Sequence, residues 1–256
     1  MNRHVGSLHW AAQTNGTLRR QDRLHLIGQV LLTRLGQLPE RVRRQLGFGD
    51  GAAARIDLTT IRLPDSPDAL RASEHCQQLS APWLFNHCLR TYVWAALLAQ
   101  VDRISFDAEL LFVASALHDL GLTATHSCQE PGCVCFAVEG ARAAQRFATQ
   151  LGWDAERSER LAEAISLHLN VRVGLGQGAE AHLLHEGAAL DVIGARIHQL
   201  GPNAIATTLE RYPRLDIKSE LVPAIKQQAH QHPKSRTAFL AALGFTRMIR
   251  AAPLGD

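Results

Sequence analysis

From Pro67 to the end of the chain, apolar positions recur every three to four residues in helix-length segments, separated by glycine, proline and short polar stretches. That periodicity predicts helix after helix. Ser80 and Pro82 offer a cap and a first-turn residue for a helix running to about Gln100. Asp107 caps the next, residues 108–120, which is apolar on every side and stops at Gly121; a helix of that kind sits at the centre of a fold. The pattern continues with helices over residues 140–151, 154–170 and 180–200, the last ended by Gly201 and Pro202. A final pair covers residues 219–231 and 235–248.

Before Pro67 the pattern is weaker. Residues 1–22 are polar and aperiodic and read as a loosely ordered extension. Residues 25–46 carry helical periodicity until FGDGAAA breaks it. RIDLTTIRL, residues 55–63, is the one β-branched alternating segment and predicts a short strand or an extended arm. LPDSPD then forms a turn cluster. The expected architecture is all-α: a helical bundle over residues 61–256, preceded by a short irregular N-terminal extension, residues 1–60, with one helix packed on the bundle. The longest insertion is the loop 122–136.

Composition adds limits. The chain has 256 residues, 46% of them apolar, enough for a real core. Its net charge of +3, from 27 basic and 24 acidic residues, is too balanced to point to a nucleic-acid or acidic-membrane partner. No uncharged apolar run approaches the roughly 18 residues of a membrane span. The opening MNRHVGSLHWAAQTNG lacks a signal-peptide core, so a cytoplasmic location is expected. Five cysteines, an odd number, fit a reducing compartment. His126, Cys128, Cys133 and Cys135 have the composition of a zinc site, but one residue between Cys133 and Cys135 is the wrong spacing for a knuckle, and loop thiols are the expected reading. No heptad seam stands out, which leaves a monomer and a homo-oligomer both open.

The informative residues are polar ones on apolar faces, because burying a titratable group is costly unless it is paired or bound to metal. His87 shares a helical row with Leu84, Thr91, Trp94 and Leu98. His118 and Asp119 interrupt the apolar run LLFVASALHDLG at its last turn. His168 follows Leu161, Ala164 and Ile165 on a core face, and Asp191 falls in the row of Leu184, Ala188 and Ala195. Two imidazoles and two carboxylates, His87, His118, Asp119 and Asp191, delivered onto one interior, form an N/O set suited to zinc first, with iron and manganese as alternatives.

The order His, then His-Asp, then Asp resembles the HD-domain superfamily of metal-dependent phosphohydrolases and their relatives. NHCLRTYVWA at 86–95, HDLGLT at 118–123, FAVEGARAA at 136–144, AISLH at 164–168, GAALDVIG at 187–194 and YPRLDIK at 212–218 look like its cyanamide hydratase-like branch. The resemblance spans roughly residues 60–235 and implies one divalent ion held by His87, His118, Asp119 and Asp191. It also implies hydration of a nitrile-like small molecule such as cyanamide to urea. Two departures stand out. Many HD phosphohydrolases follow the doublet with Ile-Gly-Lys, whereas here HDLGLT supplies Leu122 and Thr123, which removes an obvious phosphate-binding cation. Ala137 stands where the branch has an acidic residue. A phosphohydrolase is the alternative reading, with Arg90 meeting the phosphate. His168 is the expected proton donor or a further ligand. Arg90 and Thr91, one turn from His87, are expected to orient substrate, and His185 to support the site from outside.

Overall fold

The computed structural model describes residues 4–36, 56–126 and 135–256. Helices α1 (Leu8–Thr14) and α2 (Arg20–Gly36) precede a single 3₁₀ turn at Leu58–Thr60. Then come α3 (Pro67–Leu79), α4 (Pro82–Asp102), α5 (Ala108–Leu117), α6 (Phe136–Gln150), α7 (Ala155–Leu167) and α8 (Ala179–Ile193). The chain ends with α9 (Pro202–Arg211), α10 (Ile217–Gln231), α11 (Arg236–Ala242) and α12 (Phe245–Arg250). No strand occurs among the described residues, and the fold is an all-α bundle.

The all-apolar helix is central, as its pattern requires. Every residue of α5 from Leu110 to Leu117 is buried, and α3, α4, α7 and α8 pack around it. Asp107 starts it, its Oδ1 accepting the Leu110 amide at 3.0 Å, and Asp154 starts α7 by accepting the Arg157 amide at 2.7 Å. Caps of this kind contribute about 0.5–2 kcal/mol each. Helices α4 and α8 cross closely. A Cβ on Gly187 would fall 2.4 Å from the Thr91 carbonyl oxygen, so only glycine lets these helices approach. That approach brings the polar residues of α4 to those of α8.

Several expectations change. Residues 56–63 form no strand; they run extended on either side of the Leu58–Thr60 turn, with Asp57 and Thr60 bonded to Gln100 rather than to a partner strand. Ser80 closes α3 instead of opening α4, whose N-cap Ala81 makes no side-chain bond, although Pro82 does occupy the first turn. The helix expected at 140–151 begins at Phe136, and that expected at 180–200 stops at Ile193, where Gly194 takes φ +71°. Gly244, at φ +94°, splits the last expected helix into α11 and α12. Helix α9, which the sequence reading passed over, follows Pro202. Of the helix expected at 25–46, α2 covers residues up to Gly36, starting five residues early; the remainder lies outside the described residues.

The N-terminal segment is not loose. Ser7 caps α1, and Trp10 and Ala11 are buried. Asn170 Nδ2 donates to the Val5 carbonyl at 2.7 Å, Ser166 Oγ to the Gly6 carbonyl at 2.5 Å, and the Leu8 amide to Glu163 Oε2 at 2.6 Å. All three anchors lie on or just after α7. Among the described residues, no helix is long and apolar enough to cross a membrane.

Candidate metal centre

His87 sits in the second turn of α4, and His118 and Asp119 follow directly on α5, where helical hydrogen bonding stops. His118 is the C-cap of α5 and Asp119 begins the 3₁₀ turn at Leu120–Leu122, its carboxylate making no capping bond and so remaining available to the site. The turn is held down by α6: a Cβ on Gly121 would meet the Phe136 carbonyl oxygen at 2.0 Å. Side chains of His87, His118 and Asp119 are buried, with only 7% of the Asp119 side chain exposed.

Three atoms converge. His87 Nε2 lies 3.2 Å from His118 Nε2 and 3.4 Å from Asp119 Oδ2, and His118 Nε2 lies 3.3 Å from the same oxygen. A tetrahedral ion with ligands about 2.0–2.1 Å away has ligand-to-ligand edges of about 3.3–3.4 Å. The triangle is one face of such a tetrahedron. Among the described residues, His87, His118 and Asp119 are the group whose potential ligand atoms all lie within 4.8 Å of one another.

Protonation makes the case stronger. His118 Nδ1 donates to the Ser115 carbonyl at 2.8 Å, one of the carbonyls a helix end leaves unpaired. His87 Nδ1 donates to Asp191 Oδ2 at 2.7 Å. Each neutral imidazole therefore carries its proton on Nδ1 and a lone pair on Nε2. In that neutral form two lone pairs and a carboxylate oxygen face one another, an arrangement that favours a cation among them; although burial pushes the His87 pKa down, Asp119 and Asp191 more than offset it and raise it above its ordinary value. The residues present fit a divalent metal. Burial pushes the Asp119 carboxyl up, but His118, His168 and His87 more than offset it and hold the group well below the usual carboxylate range.

His168 occupies the equivalent position at the end of α7. Its Nδ1 donates to the Ile165 carbonyl at 2.6 Å, as His118 does to Ser115, and its Nε2 lies 3.5 Å from Asp119 Oδ1, the oxygen turned away from the triangle. Its ring stands edge-on to His118, with centroids 4.9 Å apart. Burial pushes its pKa down, so the ring is neutral near pH 7. His185 supports it: Nδ1 donates to the His168 carbonyl at 2.9 Å.

Asp191 and Arg90 are placed differently from what the sequence suggested. Asp191 lies behind His87, on the Nδ1 side, and does not join the triangle. Arg90 is fully buried and grips Asp191 with Nε at 2.8 Å and NH2 at 2.9 Å, while NH1 donates to the Tyr212 and Pro213 carbonyls. Its donors face protein, not a substrate. Thr91 is also fully buried at the α4–α8 crossing, its hydroxyl without a partner. Burial pushes Asp191 up, but the charge of Arg90 and the bonds from His87 and Arg90 hold it far below the usual range.

Two members of this network were missed. Trp94, read as core, donates Nε1 to Asp191 Oδ1 at 2.8 Å, and Arg214, within YPRLDIK, donates to the Asp191 carbonyl at 2.9 Å. Trp94 lies four residues after Arg90 on the same face of α4, a spacing that marked it in advance. Of the cysteine cluster, Cys128 and Cys133 lie outside the described residues, and Cys135 is buried with its sulfur 3.4 Å from Arg236 NH2. Cys135 is therefore a packed thiol.

A comparison with curated proteins returned no match for the chain. Residues 84–201 match the HD domain, a span that contains His87, His118, Asp119, His168 and Asp191. HD domains bind divalent metals and are generally metal-dependent hydrolases, and the His87–His118–Asp119 cluster could hold such an ion. Residues 84–201, just under half of the chain, are thus similar to the HD domain and carry a His/Asp cluster that could hold a metal ion.

Proposed function

We propose that the protein is a metal-dependent hydratase that adds water to a nitrile-like small molecule, cyanamide being the simplest candidate, to give urea. The observation that carries this reading is the triangle of His87 Nε2, His118 Nε2 and Asp119 Oδ2, three acceptors enclosed in a buried site beside a neutral His168. A divalent ion, with zinc first among the candidates, supplies Lewis acidity that lets water ionise near neutral pH. Three protein ligands leave room for water and a small substrate, as catalytic sites require.

His168 moves the proton. Its Nδ1 is fixed on the Ile165 carbonyl, so Nε2 is the atom that exchanges a proton with water or substrate. As the water oxygen bonds to the nitrile carbon, one carbon–nitrogen π bond opens onto nitrogen. His168 Nε2 takes a proton from the water and returns it to that nitrogen. The isourea so formed becomes urea by moving its hydroxyl proton to nitrogen, and atoms balance as one water added. Asp119 Oδ1, 3.5 Å from His168 Nε2, orients the ring and favours its protonated state while it carries the proton.

A small neutral substrate suits the surroundings better than a phosphate ester. Arg90, the cation nearest the site on α4, is bonded to Asp191 and to two backbone carbonyls, and Leu122 and Thr123 provide no ammonium. The test is urea release from cyanamide by zinc-, iron- and manganese-loaded protein beside Asp119→Ala. Urea from the first and none from the second supports the hydratase. Metal bound without urea, together with cleavage of phosphate esters, would replace this reading by a phosphohydrolase.

A further inference from the structure

We propose that Asp191 is a positioning residue of the metal centre and not one of its ligands: acting through His87, it fixes which imidazole nitrogen faces the ion. The inference rests on the reading of His87, His118 and Asp119 as a metal centre, and concerns what holds that centre in shape.

The first argument is occupancy. An ionised carboxylate offers about four lone-pair sites. Those of Asp191 are filled: Oδ1 accepts Arg90 Nε at 2.8 Å and Trp94 Nε1 at 2.8 Å, and Oδ2 accepts His87 Nδ1 at 2.7 Å and Arg90 NH2 at 2.9 Å. Arg214 NH1 adds a longer contact to Oδ1 at 3.4 Å. An ion could bind Asp191 only by displacing one of these donors, and Arg90, Trp94 and His87 are each at most 1% exposed, with no water to turn to.

The second argument is direction. Nδ1 and Nε2 project from opposite sides of an imidazole, so a carboxylate bonded to Nδ1 stands on the far side of the ring from whatever Nε2 binds. A carboxylate oxygen only accepts, so Nδ1 carries the proton and Nε2 is left with its lone pair toward His118 and Asp119. Arg90 and Trp94 follow His87 on α4 at three and seven residues, so one helix face supplies both the ligand and the donors that aim its partner. Helix α8 supplies the carboxylate across the crossing that Gly187 permits. The ligand set is then two imidazoles and one carboxylate, which carries one negative charge fewer than the four-residue set.

The experiment uses cobalt(II), whose visible bands report its ligands, in the full-length wild type, Asp119→Asn and Asp191→Asn. We expect Asp191→Asn to bind cobalt about 10–100-fold more weakly in chelator competition, the usual effect of losing an outer partner. At saturation it should give the wild-type bands, while Asp119→Asn should not. Bands in Asp191→Asn displaced in the manner of Asp119→Asn would overturn the proposal. If Asp191→Asn does not fold, a crystal structure of the zinc-loaded wild type decides. Asp191 bonded to His87 Nδ1 and off the metal supports positioning; an Asp191 oxygen within about 2.2 Å of the ion overturns it. A wild type that binds no cobalt would remove the metal centre itself, and this role with it, an outcome distinct from a bound ion with Asp191 among its ligands.

Discussion

At the scale of single residues, the site is a set of histidines whose tautomers are fixed by what lies behind them. Helix-end carbonyls fix His118 and His168, and a carboxylate fixes His87. The first two share a local cause: each follows the last residue of a helix, where the carbonyl three residues back lacks a partner. Yet their Nε2 atoms face different neighbours, His118 the triangle and His168 the outer oxygen of Asp119. If the proposed hydration is the reaction, replacing His168 with Gln should therefore leave the bound metal at one equivalent while kcat falls about 10²–10⁴-fold, the usual contribution of a general acid–base. Metal analysis beside the rate measurement separates the two, and loss of metal along with activity would make His168 a ligand instead. In the sequence the five site residues were legible because each interrupts an apolar row. Their division of labour was not, because whether Asp191 faces an ion or an arginine depends on side-chain directions that helical spacing leaves open. Arg90 illustrates this: one turn from His87 it reads as facing the pocket, whereas its guanidinium turns to Asp191 and to the carbonyls of Tyr212 and Pro213.

At the scale of elements, the centre depends on how closely α4 and α8 cross. Gly187 makes that crossing possible, and it faces Thr91 and Ala95 of α4, just after His87 and Arg90. Gly187→Ala pushes a methyl group to 2.4 Å from the Thr91 carbonyl, so the helices must part. The expected cost is about 1–3 kcal/mol, as for other overpacked cores, read as a lower urea midpoint of unfolding. Metal binding should weaken in the same variant, because parting α4 from α8 lengthens the His87–Asp191 and Arg90–Asp191 bonds together. Unchanged affinity at reduced stability would show that the socket tolerates the shift. Helices with strong apolar periodicity and a capping aspartate, such as α5 and α7, were placed from sequence within a few residues. Those ended by tertiary contact were not. Phe136, where α6 starts, has its carbonyl packed on Gly121, and α1 was passed over because a seven-residue segment is too short to carry a clear periodicity of its own. Its helix is stabilised by Trp10 burial and by bonds to Glu163, Ser166 and Asn170, partners some 150 residues away.

On the scale of the whole molecule, these long-range bonds tie the N-terminus to the end of α7 that carries His168, and Arg236 of α11 joins them through the Ser166 carbonyl at 2.7 Å and Asn170 Oδ1 at 2.9 Å. Stability of the molecule and order of the site are thereby linked, and a second pair of histidines, away from the centre, makes the first sensitive to acid. His75 on α3 stacks on Phe147 of α6, with centroids 4.7 Å apart, and lies 6.4 Å from the ring of His126. Burial pushes His75 below its ordinary 6.5, and the charge of His126 pushes it further. Burial also lowers His126, with Arg146 adding to the effect and Glu139 opposing it. A base whose pKa is lower folded than unfolded releases protons on folding. Its contribution is therefore complete above 6.5 and is lost as pH falls through the lowered folded values. Urea midpoints of chelator-treated protein should thus fall between about pH 7 and pH 5, with metal loss removed from the comparison by the chelator. His75→Gln, which keeps a polar planar group in the stack without a charge to gain, should flatten that fall. A variant whose midpoints decline as steeply as those of the wild type would move the acid sensitivity away from this pair, to another histidine that burial holds below its ordinary value, such as His168.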